Sequence, residues 1–175
     1  MTWHGSTLYD MAKRKKVIYF SNFKTSGKLA DAVSIAASTP RWFQGPKLKS
    51  LAPDMATVRR YKKNPAGQLD WYMQDYLVMI YNLNDLDTIA ADYVGKVLLC
   101  YCDKTAFCHR QLLAKTLEIE FGYECKEIGG WEIPFDKPFE DPTSFMSLTV
   151  PFEGEEVDIV GNYAKFRDER LKYQS

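Results

Sequence analysis

Hydrophobic and polar positions repeat along the chain with two different periods, and both predict regular structure. Segments 16–23 (KVIYFSNF) and 31–38 (DAVSIAAS) are rich in β-branched, aromatic and small apolar residues and predict two short strands. Segment 96–102 (KVLLCYC) is almost continuously apolar, which is typical of a strand buried on both faces of a sheet. Segment 123–131 (YECKEIGGW) predicts another strand, which ends at two glycines.

The 3.6-residue period of helices appears in four other segments. In 54–64, apolar residues share one face and Asp54 is placed to cap the first turn. Segment 69–83 has the widest apolar stripe, and the shorter segment 84–95 ends at a glycine. Segment 108–122 is apolar on one side, including Phe121, and also ends at a glycine.

The order of these elements predicts the fold class. A strand, a helix and a strand joined by short connections over 96–131 form a βαβ unit, and such units build parallel sheets. We therefore expect an α/β fold: a compact single domain with a mainly parallel central sheet flanked by helices. Residues 16–133 would form this core domain, after a flexible N-terminal segment (1–15) and before a less regular C-terminal extension packed on the core (134–175).

Composition narrows the class of protein. The 175 residues carry 23 basic and 23 acidic side chains, so no overall field attracts nucleic acid or an anionic membrane. The basic runs at 13–16 and 59–63 are short enough to be solvated flanks. No apolar run reaches the roughly 20 residues that cross a bilayer, so no membrane partner is expected. The cysteines cluster instead of forming a disulfide framework, which favours the cytoplasm and free thiols.

The segment 97–118 contains three of the four cysteines and carries most of the candidate chemistry: Cys100, Cys102, Cys108, His109 and Arg110. Thiolates and imidazole are the usual ligands of zinc. However, two cysteines on one strand face would lie about 7 Å apart by strand rise. The interpretation therefore includes no metal and no cofactor.

Two further interpretations concern a thiol site and an anion site. A cysteine phosphatase or rhodanese-like loop would need an arginine about five residues after the cysteine. Arg110 follows Cys102 by eight residues and Cys108 by two, so that specific pattern is absent. We favour an anion-binding helix start instead, because the first turn of the 108–122 helix exposes backbone N–H groups. Arg110 would add a fork suited to phosphate, and His109 could move a proton near neutral pH.

A purely structural interpretation stays open at this point. Cys100 would then be a small buried hydrophobe, Arg110 would pair with an acidic neighbour such as Asp103, and His109 would bond a loop carbonyl.

A second loop, in 34–45, offers hydroxyls, a cation and an indole through Ser34, Ser38, Arg41 and Trp42. If its strand is parallel to the 96–102 strand, both loops leave the same edge of the sheet. A flat indole and a cation suit stacking on a base and contact with a phosphate. The alternative is that Trp42 simply covers the edge of the sheet.

The segment LLCYCDKTAFCHRQLLAKTLE (98–118) resembles the signature of the family catalogued as domain of unknown function 488, whose members are bacterial and viral. Segments 16–23, 32–45 and 51–63, and the glutamate in CKEI, resemble that family's order of features, so the resemblance covers about 16–130. It implies a compact α/β domain with a site at Cys100, Cys108, His109, Arg110 and Glu127. The family more often has Glu where this chain has Cys102.

Together these features lead to a functional hypothesis. We expect an enzyme that acts on a nucleotide, phosphorylated or nucleic-acid-linked ligand, with Cys108, His109 and Arg110 as catalytic residues. Ligand-binding residues would be Ser34, Arg41, Trp42, Cys100 and Glu127. Two alternatives are a non-catalytic module that binds nucleic acid or protein and a zinc-stabilised structural protein; the sequence leaves the oligomeric state open.

Overall fold

The computed structural model describes residues 16–103, 106–130, 149–152 and 155–158. The predicted N-terminal segment 1–15 and most of the predicted extension 134–175 lie outside these residues. The described strands are β1 (Val17–Asn22), β2 (Ala32–Ser34), β3 (Val97–Cys100), β4 (Glu124–Glu127), β5 (Thr149–Phe152) and β6 (Glu155–Asp158). The described helices are α1 (Phe23–Ser26), α2 (Met55–Lys63), α3 (Pro65–Tyr81), α4 (Leu86–Asp92) and α5 (His109–Phe121), with a short 3-10 turn at Lys49–Leu51.

Strands β1 to β4 form one sheet in the order β2-β3-β1-β4, and every pair in it is parallel. The predicted α/β class and the parallel pairing of β2 with β3 are therefore confirmed. After β1 the chain continues to β2 at one edge of the sheet, and after β3 it continues to β4 at the opposite edge. The carboxyl ends of β1 and β3 thus flank a topological switch point, the usual ligand position in such sheets.

Both faces of this sheet are apolar, as the sequence of β3 predicts. Ile18, Phe20 and Leu98 lie in a core that contains residues from α3, α4 and α5. The opposite face buries Val97 and Leu99 in a second cluster with aromatic side chains that follow β1 and β2. Burial of both faces explains why the strand residues are hydrophobic without strict alternation.

Helices α2 and α5 begin and end where local chemistry predicts, whereas α3 (Pro65–Tyr81) begins and ends before the predicted segment 69–83 does. Asp54 caps α2 by accepting from the backbone N–H of Ala56. Gly122 ends α5 in the left-handed conformation, with a φ of 70°, which glycine adopts without a Cβ clash. Phe121 is 39 % exposed, so its predicted place on the buried stripe of α5 is wrong.

Two strands are shorter than predicted, and both differences lie next to the candidate site. β2 ends at Ser34 instead of residue 38, because the Ser34 hydroxyl accepts from the backbone N–H of Ala36 and turns the chain. β3 ends at Cys100 instead of Cys102. In the C-terminal extension, β5 and β6 pair as an antiparallel hairpin. Among the described residues, no helix combines the length and apolarity needed to cross a membrane.

Candidate functional site

The end of β3 and the start of α5 bring three thiols together. Because β3 stops at Cys100, the chain turns there, and Cys102 does not continue along the strand. The sulfur atoms of Cys100, Cys102 and Cys108 all lie within 4.8 Å of one another. We call these residues the thiol cluster. The separation of about 7 Å between Cys100 and Cys102 that a continuous strand predicts is therefore wrong, and with it the argument against a metal.

His109 places one ring nitrogen against this cluster. Its Nε2 lies 2.8 Å from the carbonyl oxygen of Ile35, which can only accept, so Nε2 carries the hydrogen. In the neutral imidazole the lone pair then belongs to Nδ1, which lies 3.6 Å from the sulfur of Cys108 and 3.8 Å from that of Cys100. The ring is 1 % exposed and meets the edge of Tyr76 at 5.0 Å between centroids. The predicted bond from His109 to a loop carbonyl is confirmed.

The thiols are hydrogen-bonded to one another, and burial favours their protonated forms. A hydrogen bond with Cys102, together with burial, raises the pKa of Cys100 to about 11. At Cys102 the hydrogen bond with Cys100 lowers the pKa, but the hydrogen bond with Cys108 and burial outweigh it and give a pKa of about 12. These two thiols are therefore neutral at physiological pH unless something replaces their protons.

Tyrosines of helices α2 and α3 enclose the cluster. Burial, followed by the proximity of Cys108, raises the pKa of both Tyr72 and Tyr76. Burial also raises the pKa of Tyr61, with Cys102 as the next cause, and Tyr61 stacks on Tyr72 at 4.4 Å between centroids. The neighbourhood of the thiols is therefore both aromatic and poor in water.

Arg110 points away from any open hollow, which corrects the expectation that its guanidinium faces solvent at the helix start. Its side chain is 0 % exposed and forms a bidentate pair with Glu127, with Nη2 to Oε1 at 2.8 Å and Nε to Oε2 at 3.3 Å. It also donates to the backbone carbonyls of Cys102 and Asp103. The acidic partner is therefore Glu127, while Asp103 contributes a backbone carbonyl oxygen.

The pair Arg110–Glu127 is electrostatically coupled to the thiol cluster. Burial lowers the pKa of Arg110, but the neighbouring Cys108 and Glu127 more than offset this effect, so the pKa is raised. Burial raises the pKa of Glu127, and the guanidinium opposes that shift only in part. Arg110 thus fastens the 102–103 turn to the end of β4 and holds the loop in place.

Gln111 completes the start of α5. Its Oε1 accepts from the backbone N–H of Cys108 at 2.9 Å, which satisfies one donor at the helix end. Its Nε2 is buried without a hydrogen-bond partner among the described residues. Gln111 therefore fixes the position of Cys108, the N-cap residue of α5.

An aromatic rim lies at the same edge of the sheet. It is made of Trp42 and Phe43 from the second predicted loop, Phe23 from α1 and Tyr101 after β3. Phe23 is its centre, with ring centroids 4.9 Å from Tyr101, 5.2 Å from Phe43 and 6.4 Å from Trp42. Trp42 and Tyr101 are each about half exposed, at 51 % and 49 %. Beside Trp42 lies an open groove of about 790 Å³ lined by residues 27–30 and 42–45.

The structure brings together only part of the predicted site. Cys100, Cys108 and His109 meet in one cluster, and Arg110 meets Glu127 beside it. Arg41 and Trp42 are exposed in the loop after β2, whereas Ser34 is buried and its hydroxyl serves a local turn. Trp42 also lies against Gly27, where an added Cβ would come within 2.5 Å of the indole.

Sequence reasoning misplaced one contributor to the site and missed two others. The pattern places Cys102 on the strand, and segment 69–83, which contains Tyr72, is predicted only as an amphipathic helix. The Ile35 carbonyl is a backbone group that no residue type reveals. One signal was available: Gln at the third helical position after Cys108 is a capping pattern that marks Cys108 as the N-cap residue.

A parallel α/β domain with a cysteine and histidine cluster at the carboxyl edge of its sheet is the class that these features define. The family model described as the active DUF488-N3 subclade matches residues 37–120, from the loop after β2 through nearly all of α5. This match supports assignment to the family of domain of unknown function 488, which the cysteine-rich signature also indicates. No curated protein and no solved structure matches the chain significantly.

Proposed function

We propose that the protein is an enzyme that acts on a nucleotide, phosphorylated or nucleic-acid-linked ligand at the carboxyl edge of its sheet. One observation carries this proposal: the thiol cluster and the aromatic rim are adjacent. Tyr101 belongs to the rim, and its neighbours Cys100 and Cys102 belong to the cluster. A ligand that stacks on the rim therefore lies next to the thiols.

The residues have different roles in this proposal. In the metal-free chain, Cys108 and His109 form the buried part of the reactive centre, and Cys102 is its partly exposed member. The N-terminus of α5 supplies the positive end of the helix dipole to the thiols beside it. Arg110 and Glu127 position the 102–103 turn, and Cys100 completes the cluster from the end of β3.

The rim supplies the recognition surface for the base or another flat group. Stacking of a base on an aromatic side chain contributes about 1–3 kcal/mol, and it tolerates different bases. Trp42 and Tyr101 present exposed rings for this contact, and Arg41 is exposed beside Trp42. This arrangement favours nucleotide-like ligands over small inorganic anions.

A thermal-shift screen of nucleotides, short single-stranded oligonucleotides and inorganic phosphate tests the proposal. We expect the wild-type melting temperature to rise with a nucleotide-containing ligand, since ligands stabilise the state that they bind. Trp42→Ala should reduce that rise. Tyr81→Ala is the matched control, because Tyr81 is also an exposed aromatic residue but bonds Glu120 on α5.

Turnover is measured next with the ligand that the screen selects. His109→Ala and Cys108→Ser should abolish product formation, while Tyr81→Ala should leave it unchanged. The proposal fails if no ligand shifts the wild-type protein, or if the selected ligand is converted equally by the His109 and Cys108 variants.

A second candidate function is a non-catalytic module that binds nucleic acid. Helix α2 favours it, because Arg59, Lys62 and Lys63 are all exposed on this one short helix. Binding through phosphate contacts weakens steeply as salt rises. A gel-shift series should then show affinity that falls with ionic strength, is lost in the double variant Lys62→Ala/Lys63→Ala, and survives His109→Ala.

A further inference from the structure

The sulfur atoms of the thiol cluster and Nδ1 of His109 lie close together, which is the arrangement expected of ligands around a metal ion. The sulfur atoms of residues 100, 102 and 108 converge, and the Nδ1 atom of His109 lies close to two of them. We propose that Cys100, Cys102, Cys108 and Nδ1 of His109 together bind one zinc ion. Three cysteines and one histidine are an established ligand set for structural zinc.

The observed distances are close to those of a tetrahedral site. Zinc–sulfur bonds of about 2.3 Å and zinc–nitrogen bonds of about 2.0 Å imply edges of about 3.8 Å between sulfurs and about 3.5 Å from sulfur to nitrogen. Nδ1 of His109 lies 3.6 and 3.8 Å from two of the sulfurs. The three sulfurs lie within 4.8 Å of one another, so shifts of about 1 Å or less would bring them to tetrahedral edges, and Nδ1 would move toward Cys102 to complete the site.

The second shell has the form expected around a metal ligand. Histidines that bind metals usually donate the other ring N–H to a carboxylate or a backbone carbonyl, which fixes the tautomer. His109 donates Nε2–H to the Ile35 carbonyl at 2.8 Å, so the lone pair that can bind a metal is on Nδ1. Tyr76 packs against the ring, and Arg110 holds the carbonyl of Cys102. His109 and Cys102 are therefore both positioned by contacts with residues outside the cluster.

Charge at the site also favours a thiolate-bound ion. Each thiol that binds zinc releases its proton to solvent, so the ion with three thiolates and a neutral imidazole carries one net negative charge. Cys108 is the N-cap residue of α5, where the helix dipole stabilises negative charge. The guanidinium of Arg110 lies beside the same turn. The partly exposed Cys102 marks the side from which an ion can enter.

Metal content of the full-length chain tests this inference independently of any catalytic activity. We expect one zinc ion per chain after purification in a phosphine reductant, and a similar stoichiometry when chelator-treated protein is reloaded with zinc. Cys100→Ser, Cys108→Ser and His109→Gln should each weaken zinc binding at least tenfold in competition with a chromophoric chelator. Cys125→Ser is the matched control, because Cys125 lies on β4 and is not a member of the thiol cluster.

Cobalt substitution of the wild-type chain keeps the test decisive where a variant fails to fold. Tetrahedral cobalt bound by thiolates gives visible d–d bands and a near-ultraviolet charge-transfer band whose intensity rises with the number of thiolates. A spectrum typical of three thiolates supports the site. The inference is overturned by a wild-type zinc content near zero after reloading, by an octahedral cobalt spectrum, or by loss of zinc in Cys125→Ser with retention in Cys100→Ser and Cys108→Ser. A chain that binds zinc but no nucleotide would uphold this inference and contradict the proposed function.

Discussion

His109 and Arg110 are neighbours in the chain and are equally buried, yet their polar atoms have opposite surroundings. The Arg110 guanidinium is engaged by both carboxylate oxygens of Glu127 and by two backbone carbonyls. His109 uses one nitrogen for a backbone carbonyl and turns the other toward sulfur atoms, which are weak hydrogen-bonding partners.

This difference distinguishes a polar group that only stabilises the structure from one that can still bind a ligand or react. Strong, complementary hydrogen bonds around a buried charge leave it no capacity for a ligand, so Arg110 stabilises the loop. A lone pair and three thiols without strong partners can still bind an ion or react. Burial alone would have given both residues the same role, so the partners of each polar atom are what distinguish them.

The largest expected effect is on stability, at Arg110. Arg110→Ala leaves the Glu127 carboxylate buried and unpaired, and breaking a buried ion pair in this way costs about 3–5 kcal/mol. Urea unfolding followed by circular dichroism measures the loss. The double variant Arg110→Met/Glu127→Leu should recover part of it, since it removes both charges. A loss below about 1 kcal/mol for Arg110→Ala would show that the pair is effectively solvent-screened.

A smaller effect concerns thiol reactivity within the cluster. Cys102 is partly exposed while Cys100 and Cys108 are buried, so a metal-free chain should alkylate at Cys102 on the order of tenfold faster. Peptide mass spectrometry after timed iodoacetamide treatment measures the order of modification. Equal alkylation rates at the three cysteines would mean that the whole cluster becomes exposed in one step. The difference in exposure between Cys102 and the two buried cysteines would then have no effect on reactivity.

The smallest effect is the pH dependence caused by Glu127. Burial raises its pKa in the folded protein above the ordinary carboxyl value. The folded state therefore binds more protons than the unfolded state across that interval, and this part of the stability falls as pH rises through the raised pKa. Glu127→Gln should remove that slope. Urea unfolding of both proteins at several pH values measures the difference, and parallel curves would contradict the shift.

The extent to which the sequence predicts this molecule depends on how local each feature is. Apolar runs predict β1 and β3, and the helical period predicts α3, because the residues within each element determine which of its faces are buried. The end of β3 was misplaced because Tyr101 and Cys102 are as strand-compatible as the residues before them. What ends the strand is the fastening of the Cys102 carbonyl by Arg110, which needs Glu127 from β4.

The same distinction holds for the site. Spacing alone indicates that Cys108 and His109 occupy a helix start, since that is a matter of neighbouring residues. Which residue pairs with Arg110, and which carbonyl orients His109, depend on the order of strands in the sheet. Ile35 is 74 positions away from His109, and only the parallel pairing of β2 with β3 brings its carbonyl to the ring.

The position of β1 between β3 and β4 determines how the domain can be divided. The segment 37–120 that the family model matches omits β1, β2 and β4, and therefore both neighbours of β3 in the sheet. Expressed by itself, that segment would retain all four sulfur and imidazole donors but would have no strand to receive the edges of β3. A minimal fragment for crystallisation or NMR should therefore start before Val17 and extend past Glu127.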